Sequence, residues 1–258
     1  QGRREAAAAK FGVVGDTYRM RGDKNSAIVT YEKVAELSPL DLNTRTRLID
    51  LLKEYGNIER ALEHYLAMGE GYYQLAQVDK ARETYQEALK LARRGAVDDI
   101  WKGRVLRLMA DIDMQRFDWK RAISAYRELR ELEPEDEGLA ITLVDLHFRV
   151  GQPVSAVREL DKYLSQLVQS GRSTKVVAIL EDMVEQRPSD ANLVDRLSRL
   201  YAQQKRLNEA VKLLDKLGEA QLEAGESDKA VKTIEKIVKL KPANVESYRQ
   251  LLSQLKRS

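Results

Sequence analysis

Residues 11–39 read FGVVGDTYRMRGDKNSAIVTYEKVAELSP. Phe11, Val14 and Tyr18 are three and four positions apart, so they share one face of a helix. The Gly-Asp pair that follows stops this helix and starts another. Pro39 ends the second helix, because proline lacks the N–H group that a helix interior requires. The stretch therefore predicts two antiparallel helices joined by a tight turn.

Two residues of the second helix complete the pattern. Ala27 is small enough to let the two helices approach closely, and Tyr31 fills the space one turn further on. In length and pattern this hairpin resembles the tetratricopeptide repeat, a helix–turn–helix unit of 34 residues. Repeats of this family stack into a solenoid, so the resemblance implies an all-α fold.

The small residue of the second helix recurs along the whole chain. Its successive spacings are 34, 20, 41, 34, 20, 34 and 20, at positions Ala27, Ala61, Ala81, Ala122, Ala156, Val176, Ala210 and Ala230. The shortest of these spacings leaves no room for another complete hairpin. The second helix of one hairpin must then also be the first helix of the next, and we predict three such shared helices, near residues 58–75, 153–170 and 207–224.

The chain also has a larger period, since Pro134, Pro188 and Pro242 recur at a constant interval of 54. We predict an all-α solenoid of about fourteen antiparallel helices, forming a single domain over residues 1–258. Its sections are a first hairpin (1–39), a three-helix module (40–93), a hairpin with about seven extra residues (94–134), two further three-helix modules (135–188 and 189–242) and a terminal helix (243–258).

The composition excludes several classes of protein. The 44 Lys and Arg nearly balance the 41 Asp and Glu, so the formal net charge of +3 does not by itself indicate nucleic-acid binding. The absence of Cys excludes disulfides and thiol chemistry. No apolar run approaches the roughly 20 residues of a membrane-spanning helix. The chain opens QGRREAAAAK, without Met or an apolar signal segment, and we expect a piece of a longer cytoplasmic protein.

Catalytic and metal-binding signatures are missing from the sequence. It contains neither a phosphate-binding GxxxxGK[ST] loop nor a GxGxxG motif after a strand. The two histidines, His64 and His147, lie in different modules, and neither has a second His four residues on. We expect His147 to line the packing between helices and His64 to lie at the surface. We therefore predict a protein that is not an enzyme and has no cofactor, metal site or catalytic residue.

The family resemblance implies that the first helices of the hairpins line a concave surface. One position of these helices is mostly acidic. We call it the acidic column, and its residues are Asp16, Asp50, Glu70, Asp111, Asp145, Ser165, Arg199 and Glu219. We predict that a partner protein or peptide with a basic segment binds there. The candidate binding residues are the acidic Asp16, Asp50, Asp111 and Asp145, the apolar or aromatic Tyr73, Met114 and Phe148, and the basic Arg104, Arg107 and Arg149.

The alternative is that the same acidic residues only form ion pairs along their own helices. Asp16 would then pair with Arg19, Asp50 with Lys53, and Asp111 with Arg107. Pairs at this spacing contribute only about 0.2–0.5 kcal/mol each. The family's pattern of two Asn with several Lys and Arg, which grips a C-terminal carboxylate, is absent.

These observations favour a non-enzymatic scaffold for protein–protein interaction, with a peptide or protein surface bound on the concave face. One alternative is a helical repeat that binds single-stranded RNA. That function needs a continuous basic track with stacking aromatics, whereas the candidate column is acidic, so we expect no nucleic-acid partner. The other alternative is a self-assembling structural module that associates through its terminal helices.

Overall fold

The computed structural model describes residues 2–95 and 97–256. These residues form fourteen α-helices and no strand. The helices are α1 (Gly2–Met20), α2 (Lys24–Leu37), α3 (Leu42–Glu54), α4 (Ile58–Gln74), α5 (Val78–Arg94), α6 (Asp99–Gln115), α7 (Trp119–Leu132), α8 (Glu137–Arg149), α9 (Pro153–Gln169), α10 (Ser173–Gln186), α11 (Ala191–Gln203), α12 (Leu207–Glu223), α13 (Ser227–Leu240) and α14 (Val245–Leu255). The predicted all-α fold of about fourteen helices is confirmed.

The chain divides into two compact units, Gln1–Gln152 and Pro153–Ser258. Within the first unit each helix from α1 to α8 packs against the next one along the chain, and the same holds from α9 to α14 in the second. No helix in the described parts of the chain combines the length and apolar character needed to cross a bilayer. The single domain over 1–258 and its six sections stay predictions.

The three helices predicted to be shared are longer than the helices before them. Each of α4, α9 and α12 has 17 residues, whereas α3, α8 and α11 have 13. The extra turn makes room for two packing segments on one helix. In the first unit α4 contacts both α3 and α5, and in the second α12 contacts both α11 and α13, as a shared helix must.

The seven extra residues predicted for the hairpin over 94–134 lie in helices and not in a loop. Helix α5 has 17 residues where α10 and α13 have 14, and α6 has 17 where α3 has 13. The two extensions account for all seven residues. The segment between α5 and α6 is no longer than the four residues that separate α2 from α3.

The small residues of the second helices are buried at every copy. Seven of the eight are alanines with no exposed surface, and Val176 is 8% exposed. Two glycines, Gly15 and Gly69, permit an even closer approach on the facing helix. A Cβ atom at these positions would lie 2.6 Å from a ring atom of Tyr31 and 2.2 Å from one of Tyr85.

One residue of each tight turn has the left-handed backbone conformation. These residues follow the same spacing as the buried small residues, and they are Gly22, Gly56, Ala76, Phe117, Gly151, Gly171, Lys205 and Gly225. Glycine adopts a positive φ without steric cost, which explains its presence at five of the eight turns. Phe117, with φ +58°, is the bulkiest exception.

Candidate partner-binding surface

The ten candidate residues all lie in the unit Gln1–Gln152. They are distributed over α1 (Asp16), α3 (Asp50), α4 (Tyr73), α6 (Arg104, Arg107, Asp111 and Met114) and α8 (Asp145, Phe148 and Arg149). Their position on the concave side of a superhelix stays a prediction. Their contacts show which of them are already paired within the chain.

Asp16 forms the centre of a polar cluster between three helices. Arg47 of α3 donates from Nη1 to both of its carboxylate oxygens, at 2.8 Å each. The hydroxyl of Tyr31 in α2 also donates to it, at 2.6 Å. Burial, together with this hydrogen bond, raises the pKa of Tyr31 to about 12. Asp16 is thus neutralised by an arginine of the next hairpin, and not by Arg19 of its own helix.

Two other acidic candidates pair along their own helices. Asp50 lies 3.4 Å from the Nζ atom of Lys53, which is the pairing expected from their spacing. Asp145 accepts a hydrogen bond of 2.5 Å from Nε of Arg149. Both pairs are partly exposed, so each contributes little to stability.

Asp111 differs from the other acidic candidates. The expected pairing with Arg107 is absent, because Arg107 forms ion pairs with Glu133 and, at 3.3 Å, with Asp136. Asp136 is the N-terminal cap of α8, and its side chain accepts a hydrogen bond from the backbone N–H of Leu139. No ion pair to Asp111 occurs within residues 2–95 and 97–256. Its exposed carboxylate is available to a partner.

The structure brings Tyr73 and Asp111 together in one cavity of about 160 Å³ between α4, α5 and α6. The cavity is lined by Glu70, Tyr73, Tyr85, Leu108, Asp111, Ile112 and Gln115. The hydroxyl of Tyr73 donates to Oε1 of Gln115 across the cavity. Burial and the nearby charge of Glu70 raise the pKa of Tyr85 to about 12, so its hydroxyl keeps its proton at neutral pH.

The remaining candidates lie outside this cavity. Arg104 stacks over the ring of Trp101 at 4.8 Å, and Arg149 lies 5.3 Å from the ring centre of Trp119. Met114 packs beside a buried cluster that contains Ala122, Ile123, Leu143 and Leu146. Phe148 is half-buried.

The two histidines have structural surroundings. His147 is buried, and its Nδ1 atom lies 3.1 Å from Oε1 of Gln152, as expected for a packing residue. His64 is half-buried and not at the surface, with Nδ1 3.2 Å from Nη1 of Arg45. Burial and the charge of Arg45 lower the pKa of His64. In the described parts of the chain no three His, Cys, Asp or Glu side chains form a group suited to a metal ion.

Three residues that line the cavity, Glu70, Tyr85 and Leu108, were not among the candidate residues predicted from the sequence. Glu70 was recognised only as a member of the acidic column. The signal that identifies them is a comparison of repeat copies. Glu70 and Tyr85 follow Asp16 and Tyr31 by the larger period of the chain. When the seven extra residues before α6 are also counted, Arg47 of the first copy corresponds to Leu108 in the third, so the arginine has no counterpart there.

Comparison with known proteins finds a family match for two of the helical hairpins. The family model described as tetratricopeptide repeat matches residues 62–94 and 212–244. These matches cover most of the α4–α5 and α12–α13 hairpins, so each begins in one of the shared helices. No curated protein matches the sequence.

Several solved structures are similar to the chain at low identity. A crystal structure of MamA protein is 18% identical, with 67% of this chain and 96% of that chain covered and a TM-score of 0.35. The TPR2AB domain of yeast Sti1, solved as a complex with pHSP90, is 15% identical, with 97% of each chain covered and a TM-score of 0.34. A structure of Naa15/Naa10 bound to HypK-THB is 13% identical over 97% of this chain and 39% of that chain, with a TM-score of 0.40. The family model thus identifies tetratricopeptide repeats at residues 62–94 and 212–244, and the buried small residue of these two hairpins recurs in the other helical hairpins of the chain.

Proposed function

We propose that the chain is a non-enzymatic scaffold that binds a peptide or protein segment through the unit Gln1–Gln152. The binding surface is the face formed by the first helices of its hairpins, and the partner segment is basic. One observation carries the proposal: Tyr73 and Asp111, predicted from the sequence as binding residues on different helices, line the same cavity together with Glu70. A cavity with two carboxylates and two tyrosines suits a cationic side chain.

The ion pairs of the candidate residues indicate which part of the proposed surface is open to a partner. Asp16, Asp50 and Asp145 already have cationic partners in the chain, so a competing partner must displace these before it gains a new ion pair. Asp111 and Glu70 carry no such cost. We therefore propose that the centre of the binding surface lies between α4 and α6.

The test is capture of partner proteins from an extract of the source cells with the intact chain. The variant replaces Asp50, Asp111 and Asp145 with Lys. The matched control makes the same charge change at three exposed acidic residues outside the acidic column, Glu63, Glu83 and Glu131. We expect the first variant to lose partners that the wild type and the control retain. Equal capture by all three proteins, with helix content verified by circular dichroism, rejects the proposed surface.

Self-association is a second candidate, supported by exposed apolar residues on α1. Phe11, Val13, Val14 and Met20 are all exposed, although Phe11 and Val14 belong to the apolar face of the repeat pattern. A second copy of the chain would cover this face. Sedimentation velocity over a range of concentrations tests the idea, with Phe11→Glu as the variant. A monomer at every concentration contradicts it. The cytoplasmic location stays a prediction, to be tested by fractionation of source cells.

A further inference from the structure

The first three repeat copies each contain a carboxylate on the first helix and a tyrosine fifteen residues later. We call Asp16 and Tyr31 the first pair, Asp50 and Tyr65 the second pair, and Glu70 and Tyr85 the third pair. The members of a pair lie on neighbouring helices, α1 and α2, α3 and α4, and α4 and α5. The three pairs allow a direct comparison of how the chain satisfies the same arrangement.

The first pair is completed by a guanidinium group from the chain itself. Arg47 of α3 donates to both oxygens of Asp16 at 2.8 Å, while the hydroxyl of Tyr31 donates to one of them at 2.6 Å. The carboxylate, the tyrosine and the arginine come from three consecutive helices. This cluster shows what the carboxylate–tyrosine pair binds when a cation is within reach.

The second pair is completed by an ammonium group from the chain. Lys53 lies 3.4 Å from Asp50 and also bonds to Tyr65. Burial lowers the pKa of Lys53, but the charges and hydrogen bonds of Tyr65 and Asp50 outweigh this effect and the pKa is raised. A different cation therefore performs the same role in this copy.

The third pair has no cation. The position of Arg47 is occupied by Leu108 and the position of Lys53 by Tyr73. In their place the structure has the cavity of about 160 Å³ between α4, α5 and α6. Glu70 receives only a hydrogen bond of 3.3 Å from Gln74, and no ion pair to it occurs within residues 2–95 and 97–256.

The hydroxyl of Tyr85 is a second, independent indication that the cavity has a ligand. Tyr85 is only 2% exposed, yet within the described residues its hydroxyl has no hydrogen-bond partner. It is one of the residues that line the cavity. The equivalent hydroxyl of Tyr31 donates to Asp16. The hydroxyl oxygen of Tyr85 is open to the cavity, where an N–H group of a ligand can donate to it.

We propose that the cavity between α4, α5 and α6 binds the guanidinium group of an arginine side chain from a partner protein, in the place that Arg47 takes in the first pair. This inference rests on the proposed function and specifies the side chain that the surface recognises. Glu70 and Asp111 supply the negative charge, and Tyr73 supplies an aromatic ring over which a guanidinium can stack. Leu108 and Ile112 contact the alkyl part of the side chain.

The test measures binding of a blocked tripeptide, acetyl-Gly-Arg-Gly-amide, to the intact chain by nuclear magnetic resonance. The control peptide contains citrulline, which has nearly the same shape as arginine but no charge. We expect the arginine peptide to shift the amide signals around Glu70 and Asp111 in a saturable manner, and the citrulline peptide to bind at least about tenfold more weakly. A lysine peptide measures how far binding depends on the planar guanidinium group.

Two reciprocal variants use the chain's own first copy as the template. Leu108→Arg supplies the missing cation from within, so we expect it to abolish binding of the arginine peptide while the chain remains folded. Arg47→Leu removes the cation of the first pair, so we expect a second set of shifted signals around Asp16. Equal binding of the arginine and citrulline peptides, or unchanged binding by Leu108→Arg, overturns the inference.

The outcomes distinguish this inference from the proposed function. If cellular partners are captured equally by the wild type and Leu108→Arg, the arginine site is wrong while the scaffold function stands. If the arginine peptide binds in the cavity but no captured partner depends on the acidic residues, the proposed surface is wrong and the site remains. Absence of any saturable shift with the arginine peptide on the wild-type chain rejects the site directly.

Discussion

Replacing Gly69 with Ala tests the closest helix contact of the structure. The new Cβ atom would lie 2.2, 2.6 and 2.7 Å from three ring atoms of Tyr85, whereas ordinary contact begins at 3.4 Å. The ring must therefore move by about 1.2 Å, away from its packing in a cluster of core residues and towards the adjoining cavity, although it is only 2% exposed. Overpacking of this kind costs about 1–3 kcal/mol. Alanine recovers about 1 kcal/mol through its higher helix propensity.

Gly218 provides the matched control, because it has the same repeat position in α12. There the new Cβ atom would lie 3.9 Å from Ile234 and Thr233, which is an ordinary contact. Gly218→Ala therefore gains the helix propensity without the overpacking. We expect the free energy of unfolding to rise by up to about 1 kcal/mol for Gly218→Ala and to fall by up to about 2 kcal/mol for Gly69→Ala.

The measurement is the midpoint of urea denaturation, followed by circular dichroism. Tyr85→Leu in the Gly69→Ala background removes the clash, and a double-mutant cycle isolates the coupling between the two positions. We expect a favourable coupling of about 1 kcal/mol or more. If Gly69→Ala is as stable as Gly218→Ala, or if the cycle shows no coupling, the close contact does not determine stability and the reasoning is wrong.

Two further substitutions test other features. Phe117 has a left-handed backbone and a side chain that is 74% exposed, so we expect Phe117→Gly to relieve strain and raise the urea midpoint. The gain in the free energy of unfolding is about 1 kcal/mol at most, because the edge contact with Trp119 is lost. An unchanged or lower midpoint contradicts this. Arg82→Met leaves the carboxylate of Asp113, which is 1% exposed, without the guanidinium whose Nε lies 2.6 Å away, and we expect a loss of about 3–5 kcal/mol in the free energy of unfolding. Arg116→Met, which breaks only the exposed pair with Asp79, is the control, and an equal loss in both variants refutes the role of burial.

The helices could be predicted because the residues that determine each of them lie close together in the sequence. The buried alanines recur at fixed spacings, and the short spacing between Ala61 and Ala81 leaves room for one helix only. The three helices predicted to be shared, α4, α9 and α12, end within one residue of their predicted bounds, and α4 and α12 each contact both neighbouring helices. The seven extra residues before α6 could not be placed, since the spacing is the same whether they lengthen a loop or two helices. The structure puts them into α5 and α6.

The ion pairs could be predicted only in part, because sequence spacing reveals pairs on one helix and misses pairs between helices. Asp50 and Lys53 form the expected pair. Asp16, however, pairs with Arg47, 31 residues away, where the next hairpin brings α3 beside α1. Such a partner is determined by packing, and the sequence around Asp16 contains no sign of it. For the same reason, the spacing suggested a pair between Asp111 and Arg107, whereas Arg107 pairs with Glu133 and Asp136, which lie between α7 and α8.

The close helix contact and the proposed arginine site have one cause. Tyr31 and Tyr85 are buried, and each faces a glycine on the first helix, whereas the equivalent positions for the half-buried Tyr65 and Tyr126 hold Ile49 and Ala110. A glycine followed directly by an acidic residue, with tyrosine fifteen positions after that residue, thus buries the tyrosine ring while its hydroxyl stays near the carboxylate. The sequence has this combination at Gly15 and at Gly69. In the first copy Arg47 completes the arrangement, and in the third nothing in the described chain does, so Gly69→Ala should weaken binding of the arginine peptide as well as stability.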